Sequence, residues 1–586
     1  MWHAADYTRT GGTAGAGPEA IRFRTPAGVT YNRLHGYPVR PRGSRLSRRS
    51  VLLFFLAVGI LYYSALGTIP LLEPDEGRYA EIPREMIASG DYVTPRLNGV
   101  VYLEKPPLFY WGNALCLSIF GETEFGARFF TATVSVAGIL LTYWMGSVLA
   151  GPRTGLYSAI VLSTSLYHYV IGRINTLDMT LAVTLIVAIF PAWLSLSGRR
   201  GRWSLTLAYA GAGLAFLAKG LVGCVFPAGV VLLWMLATGR AKEIRKAFSL
   251  AGFALFLAIT LPWVFLVQRA NPDFLWFFFV HEQFLRYTTK IHHHHEPFWF
   301  FLPVLVAGML PWLAFARRAA TAVRGRTEEW FPRDDRRFLY CWAGFILLFF
   351  SFSQSKLVTY VAPIFPPLAL LFGRALAMWP EREDGAVRCR FPLALAAFLA
   401  AGALFFPPFT KHQVLLGEWV PSTAFPAALI LLWGVVPLFV RRLGAERVVL
   451  LSFLLLALFL TALNRPAAQY LSGYKSVKQL AGVLNASLRE GDVVAQYGLY
   501  QQGLPFYTKR RCILVNEVGE LEFGAERAPD RGKWFLDDRT FLPLWNSDRR
   551  VFCLFKRDTL KLIRKKFPVH RLLYNTDEGI LIVNRF

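Results

Sequence analysis

Long apolar runs recur from Val51 to Leu463, and they restrict this chain more than any other feature. A run of about 20 apolar residues crosses a ~30 Å hydrocarbon core as a helix. No backbone polar group can be left unpaired at that depth, so each run is expected to be helical. Thirteen segments fit, near 51–69, 126–149, 154–172, 177–197, 203–218, 221–238, 247–267, 298–316, 338–353, 357–378, 391–408, 423–440 and 447–463. Composition agrees: hydrophobic residues make up 54% and charged residues 17%, against roughly a quarter charged in soluble domains. With six cysteines in 586 residues, the disordered, collagen-like and disulfide-scaffold classes are excluded. A polytopic α-helical membrane protein remains.

The formal net charge is +26, which in a soluble chain would suggest nucleic acid. Its distribution argues for topology instead. With the N-terminus inside and the segments alternating, the inside stretches carry thirty basic residues. The outside loops 70–107 and 268–297 carry seven basic against ten acidic residues. This is the positive-inside pattern, and no nucleic-acid partner is expected. Residues 1–50 hold nine arginines among glycines and prolines. They lack the apolar stretch and cleavage site of a signal peptide, and read as a basic disordered cytoplasmic tail. Residues 51–470 form the transmembrane domain, with outside loops taken as 70–125 and 268–297.

An odd number of crossings puts the C-terminus outside. From Leu471 the pattern changes to short mixed elements. Lys475–Arg489 and Asp558–Phe567 read as helices. Val493–Gln496, Cys512–Val515, Trp534–Leu536, Val551–Phe555 and Gly579–Asn584 read as strands, the last after a turn at Asn575–Glu578. Residues 471–586 are therefore expected to be an exported soluble α/β domain. No internal repeat is present.

Ionisable residues at membrane depth are costly and mark function by default. Here they gather on one side. The first outside loop holds Asp75, Glu76, Arg78 and Glu81, then Tyr102, Glu104 and Lys105. Arg173 and Asp178 flank the third-to-fourth turn, and Lys219 the fifth-to-sixth. His281, Glu282 and Arg286 lie in the second large outside loop, with Lys356 and Tyr360 at the ninth-to-tenth turn. Such a set suits transfer of a group from a phospholipid-like carrier. Lys105, Lys219 and Arg286 would neutralise a departing phosphate, and Asp75 would take a proton from an acceptor hydroxyl. Pro106 and Pro107 would hold the Lys105 backbone extended. No nucleotide-binding fingerprint is present.

Plainer roles exist for the same residues. Asp75 would cap the helix Glu76–Ala88, Arg78 and Glu81 would form a surface ion pair, and Arg173 and Asp178 a structural one. Lys219 would snorkel to the headgroups, and Tyr360 would sit in an aromatic belt. The run His292–His295 makes a poor preformed metal site because neighbouring residues do not all converge on one ion. His281 with Glu104 is the better candidate pair if the loops meet. Cys512 and Cys553, on expected strands of the exported domain, are candidates for a disulfide.

In order along 51–370, several motifs strongly resemble the aminoarabinose transferase branch of the GT-C glycosyltransferases. They are Pro74-Asp75-Glu76-Gly77-Arg78-Tyr79-Ala80-Glu81, Glu104-Lys105-Pro106-Pro107, Arg128, Gly172-Arg173 through Asp178, Ala218-Lys219-Gly220, His281-Glu282 with Arg286, and Lys356 through Tyr360. The resemblance implies a GT-C fold with about 13 transmembrane helices, in a bacterial inner-membrane enzyme with a cytoplasmic N-terminus and a periplasmic C-terminal domain. It implies a polyprenyl-phosphate-linked sugar donor, with lipid A or another envelope glycan or protein as acceptor. Asp75, Glu104 and Asp178 would then be catalytic. Arg78, Tyr102, Lys105, Arg173, Lys219, Arg286, Lys356 and Tyr360 would bind substrate. Glu104 and His281 would match a pair able to bind a divalent metal, with no cofactor strictly required. A mannosyltransferase-like enzyme acting on protein is the neighbouring alternative. A lipid-linked sugar flippase is the alternative of another class, disfavoured because transporters concentrate polar groups near the midplane.

Overall fold

The computed structural model describes residues 47–285, 296–316, 320, 330–378, 390–405, 416–439, 443–472 and 475–585, except 560–562, 564, 568–569 and 577–578. Ahead of these it describes three short strands, β1 (Arg22–Arg24), β2 (Thr30–Asn32) and β3 (Pro38–Val39). They pair antiparallel in the order β1-β2-β3, within the stretch expected to be a disordered tail. Residues 1–51 form one compact unit and residues 52–586 another.

Every apolar segment expected to cross a membrane overlaps a helix. Among the described residues six helices are long and apolar enough to cross: Glu124–Ala150, Asp178–Leu196, Leu250–Ala270, Val358–Ala377, Trp419–Phe439 and Ala445–Leu471. In chain order the first ten helices are α1 (Arg48–Tyr63), α2 (Asp75–Ser89), α3 (Leu108–Phe120), α4 (Glu124–Ala150), α5 (Pro152–Thr164), α6 (Leu166–Ile171), α7 (Asp178–Leu196), α8 (Trp203–Lys219), α9 (Val222–Ala237) and α10 (Leu250–Ala270). The expected segment 154–172 is divided. Ser165 has an extended backbone between α5 and α6, and the freed Leu166 N–H donates to the Leu310 carbonyl at 2.9 Å. A neighbouring segment thus satisfies the group the break exposes. Small residues let the helices close up. A Cβ on Gly211 of α8 would lie 2.5 Å from the Ala188 nitrogen of α7, the close approach typical of membrane helix pairs.

The stretch between α1 and α4 is built rather than loose. It holds α2, α3 and a hairpin of β4 (Arg96–Leu97) and β5 (Val100–Val101). The apolar helix α3 was not expected from the sequence. Asn98 and Gly99 both have positive φ, at 52° and 76°, the two-residue Asn-Gly turn that suits a twisted hairpin.

The C-terminal sheet has the strand order β10-β11-β9-β6-β7-β8. Here β6 is Val493–Tyr497, β7 Ile513–Val515, β8 Phe535–Leu536, β9 Val551–Phe555, β10 Arg571–Thr576 and β11 Gly579–Val583. Strands β9, β6, β7 and β8 are parallel, and β10-β11 is an antiparallel hairpin on the edge. Alternate residues serve opposite faces. Val494, Leu514, Phe552 and Leu554 pack with Tyr79, Ile82 and Met86 of α2 and with Leu97 and Val100 of the hairpin. Ala495, Ile513, Cys553 and Phe555 pack under Phe541 and Trp545. One face of the sheet is therefore the platform on which α2 and the hairpin rest.

Five expected strands are present within a residue or two of the read bounds. The sixth, β10, went unread because none of its residues is buried and they carry no apolar alternation. Of the expected helix Asp558–Phe567, residues 560–562 and 564 lie outside the described residues. Cys512 and Cys553 are both free thiols. Strand β6 lies between their strands, and two inter-strand spacings of about 4.8 Å exceed disulfide reach.

Candidate active site

Helix α2 opens at Asp75, and its first turn sends two adjacent carboxylates in opposite directions. Glu76 is buried, with its side chain 1% exposed, and forms a bidentate pair with Arg128 of α4, both contacts at 2.7 Å. Its Oε1 also accepts the Asn175 N–H at 2.7 Å. Arg128 donates further to the carbonyls of Leu66, Ile69 and Pro70. A buried pair survives only when its remaining donors and acceptors are matched, and here they are. This node bolts the start of α2 to the helical bundle.

Asp75 faces the other way, with half its side chain exposed, 3.6 Å from the Arg78 guanidinium. It makes no side-chain cap on α2, so the capping role does not hold. Arg78 does not pair with Glu81. Glu81 is taken by Arg84 in a bidentate contact at 2.6 Å. Arg78 instead reaches Glu520 at 3.0 Å and the Tyr102 hydroxyl at 3.4 Å. Burial raises the Glu520 carboxyl, partly offset by Arg78, and burial likewise holds the Tyr102 phenol well above its ordinary range.

Glu520 follows β7, and Gln502, which donates to it at 2.8 Å, follows β6. Loops beyond the carboxyl ends of parallel strands are where α/β sheets build sites. The same loops are fastened to α2 from its other side. Glu73 accepts the N–H groups of Gln502 and Gly503 at 3.0 and 2.7 Å. A Cβ on Gly77 would lie 2.5 Å from the Gly503 nitrogen. The hairpin adds a third tie: Asn98 exchanges hydrogen bonds with the backbone of Cys512 at 2.9 and 2.8 Å.

The second group of charges joins the stretch before α3 to the one after α10. Lys105 lies 3.5 Å from Glu104 and 3.6 Å from Glu282, and Glu282 lies 3.3 Å from His281. The third group joins the α7 and α8 ends. Lys219 pairs with Asp178 and stands 4.4 Å above the Tyr360 ring. Two expected members stand apart. Arg173 does not pair with Asp178 but donates to the carbonyls of Leu61 and Ser64 and to Asn464, at 2.6, 2.7 and 3.1 Å. Lys356 donates to the Ser353 carbonyl at 2.7 Å. Arg286 and His292–His295 lie outside the described residues.

A divalent ion at Glu104 and His281 was admitted by the sequence. Among the described residues no three His, Cys, Asp or Glu side chains group as metal ligands. The ammonium of Lys105 stands between the Glu104 and Glu282 carboxylates, so the donor set as arranged suits an ammonium rather than a divalent ion. Three cationic groups, Arg78, Lys105 and Lys219, each beside a carboxylate, are able to receive a phosphate and to neutralise it as it departs.

Comparison with known proteins gives this geometry its class. The family described as dolichyl-phosphate-mannose-protein mannosyltransferase matches residues 104–265, and the aminoarabinose transferase C-terminal domain matches residues 480–585. The second match covers most of the region that carries the C-terminal sheet. The undecaprenyl phosphate-α-4-amino-4-deoxy-L-arabinose arabinosyl transferase of Erwinia tasmaniensis is 31% identical over 86% of this chain and 92% of its own. Transferase 1 of that name from Sodalis glossinidius is 32% identical over 87% and 92%. The crystal structure of ArnT from Cupriavidus metallidurans bound to undecaprenyl phosphate matches with a TM-score of 0.78 at 27% identity, covering 92% of this chain and 99% of that one. The fold is that of a multi-pass membrane glycosyltransferase with the GT-C architecture. Within that class, the chain belongs to the undecaprenyl phosphate-α-4-amino-4-deoxy-L-arabinose arabinosyl transferase family.

Proposed function

We propose that this protein transfers 4-amino-4-deoxy-L-arabinose from undecaprenyl phosphate to lipid A on the periplasmic face of the bacterial inner membrane. The observation that carries the reading is three cation–carboxylate pairs, Arg78 with Asp75, Lys105 with Glu282 and Lys219 with Asp178, drawn from five separate segments. In this reading the chain crosses the membrane thirteen times. Residues 1–50 are cytoplasmic, 51–470 carry the chemistry, and 471–586 lie in the periplasm.

The acceptor phosphate oxygen attacks the anomeric carbon of the sugar. The bond from that carbon to the carrier phosphate breaks, and its electron pair leaves on undecaprenyl phosphate. Lys105 and Lys219 offset the charge on the departing phosphate, with Arg286, carried by the resemblance, completing the set. A lipid A phosphate is already an anion and needs no general base, so Asp75 stabilises positive charge developing on the sugar and orients it. Arg78 holds Asp75 in place, and Tyr102 and Glu520 brace Arg78. No step is assigned to a metal ion.

The test is mass spectrometry of lipid A from cells lacking their own transferase. With the intact protein a pentosamine-sized addition is expected. Lys105→Ala should lower it by about 10–100-fold in initial rate, the size of a lost charged contact. Unmodified lipid A beside a stably inserted intact protein would overturn the acceptor.

A further inference from the structure

Arg78 serves two carboxylates through one nitrogen. Its Nη2 lies 3.6 Å from Asp75 and 3.0 Å from Glu520. Burial raises the Glu520 carboxyl, and the Glu104 and Asp75 carboxylates push it the same way against the pull of Arg78. Taken by itself, the Asp75–Arg78–Glu520 group is one positive charge short. It is also short of hydrogen-bond partners. The Arg78 Nε–H, the Gln502 Oε1 and the Tyr110 and Tyr500 hydroxyls are buried, and none meets a partner among the described residues. Tyr110 is 0% exposed and Gln502 7%. Gln502 commits its amide N–H to Glu520, and both tyrosines stand in the field of that carboxylate. Buried polar groups are rarely left unmatched, so this set marks a place for a polar, positively charged ligand.

We infer that Glu520 and Gln502 receive the primary ammonium of the donor sugar proposed above, on which reading this site rests, and so select an amino sugar over its neutral counterpart. An ammonium has three N–H donors and no acceptor. Glu520 meets its charge, and the Gln502 Oε1 is a neutral acceptor beside it. The anomeric carbon and the amino-bearing carbon lie across one six-membered ring, as Asp75 and Glu520 lie across one nitrogen of Arg78. One ring thus offers its reacting carbon to Asp75 and its ammonium to Glu520. The Tyr110 hydroxyl is left for a ring hydroxyl. A neutral sugar would leave the excess charge and the Gln502 Oε1 unmatched. A site with such buried groups rejects the analogue that lacks their partner.

The experiment measures the affinity of the full-length protein in nanodiscs for two undecaprenyl-phosphate donors, one bearing 4-amino-4-deoxy-L-arabinose and one bearing L-arabinopyranose. No acceptor is present. The amino donor is expected to bind about tenfold tighter or more, the size of a charged hydrogen bond. Glu520→Gln should narrow that ratio by about fivefold or more. If Glu520 only braced Arg78, both donors would weaken alike; an unchanged ratio in folded Glu520→Gln would overturn the inference. Gln502→Met keeps the Glu520 charge and decides the matter if Glu520→Gln fails to fold. It should narrow the ratio about threefold, and an unchanged ratio there would overturn the inference as well. Equal binding of the two donors by the intact protein would overturn the ammonium site alone, whereas binding of neither would overturn the donor class and the site with it. Unmodified lipid A beside a kept preference for the amino donor would remove the acceptor and leave the site standing.

Discussion

Asp75 and Glu76 are neighbours in sequence, yet they belong to two regions with opposite physical character. The inward region around Glu76 and Arg128 is closed: a bidentate pair, five further hydrogen bonds and no exposed charge. The outward region around Asp75 is open, with a half-exposed carboxylate and a 3.6 Å contact to Arg78. Charge that is fully matched holds structure, whereas charge left partly matched at a water-facing cleft is available to a ligand. The difference teaches that position relative to the bundle, more than residue type, divides scaffold from site.

The largest effect is expected where the closed region is broken. Arg128→Ala leaves Glu76 as a buried unpaired carboxylate, at a cost of about 3–5 kcal/mol. Membrane-inserted protein should be scarce and its thermal midpoint in detergent low. A normal midpoint would show that the node is not what fastens α2.

A smaller effect is expected at the open region's far edge. Glu520→Gln keeps the shape and removes the charge that braces Arg78. Transfer should fall about five- to tenfold, the size of one charge-assisted contact, with normal insertion and melting. An unchanged rate would remove the C-terminal domain from the site.

The smallest effect concerns pH. Burial raises the carboxyls of Glu73 and Glu85 to about 8, against the donors they accept from Gln502, Gly503 and Gly99. A carboxyl raised on folding binds its proton more tightly in the folded state. Its contribution is thus full below the ordinary value of about 4.5 and lost as pH rises through about 8. Thermal midpoints should fall between pH 6 and 9, and Glu73→Gln should flatten part of that slope. A midpoint rising over the same interval would contradict the burial of these groups.

Much of the scaffold was legible because its signals are local. Apolar runs, Asn98-Gly99 and the alternation of Val551–Phe555 each carry their meaning within a few residues. So were Lys105, Asp178 and Lys219, ionisable groups at the ends of apolar runs. Glu520 was not legible, because only the packing of the C-terminal sheet on α2 brings it to Arg78. The contact of Glu73 with Gln502 beside it spans 429 residues of sequence. Sequence proximity also misled. Arg78 and Glu81 have helical spacing, but Arg84 competes for Glu81 from the next turn. Arg173 and Asp178 are close in the chain, yet one turns to the α1 carbonyls and the other to Lys219.

The contrast between the two carboxylates is tested most directly by measuring transfer per folded molecule in Asp75→Asn and Glu76→Gln side by side. Asp75→Asn should insert and melt like the unaltered protein while transfer falls about 10²–10³-fold, as when one group stabilising transition-state charge is removed. Glu76→Gln should yield less folded protein, with activity per folded molecule largely kept. An Asp75→Asn protein that still modifies lipid A at the full rate would contradict the account.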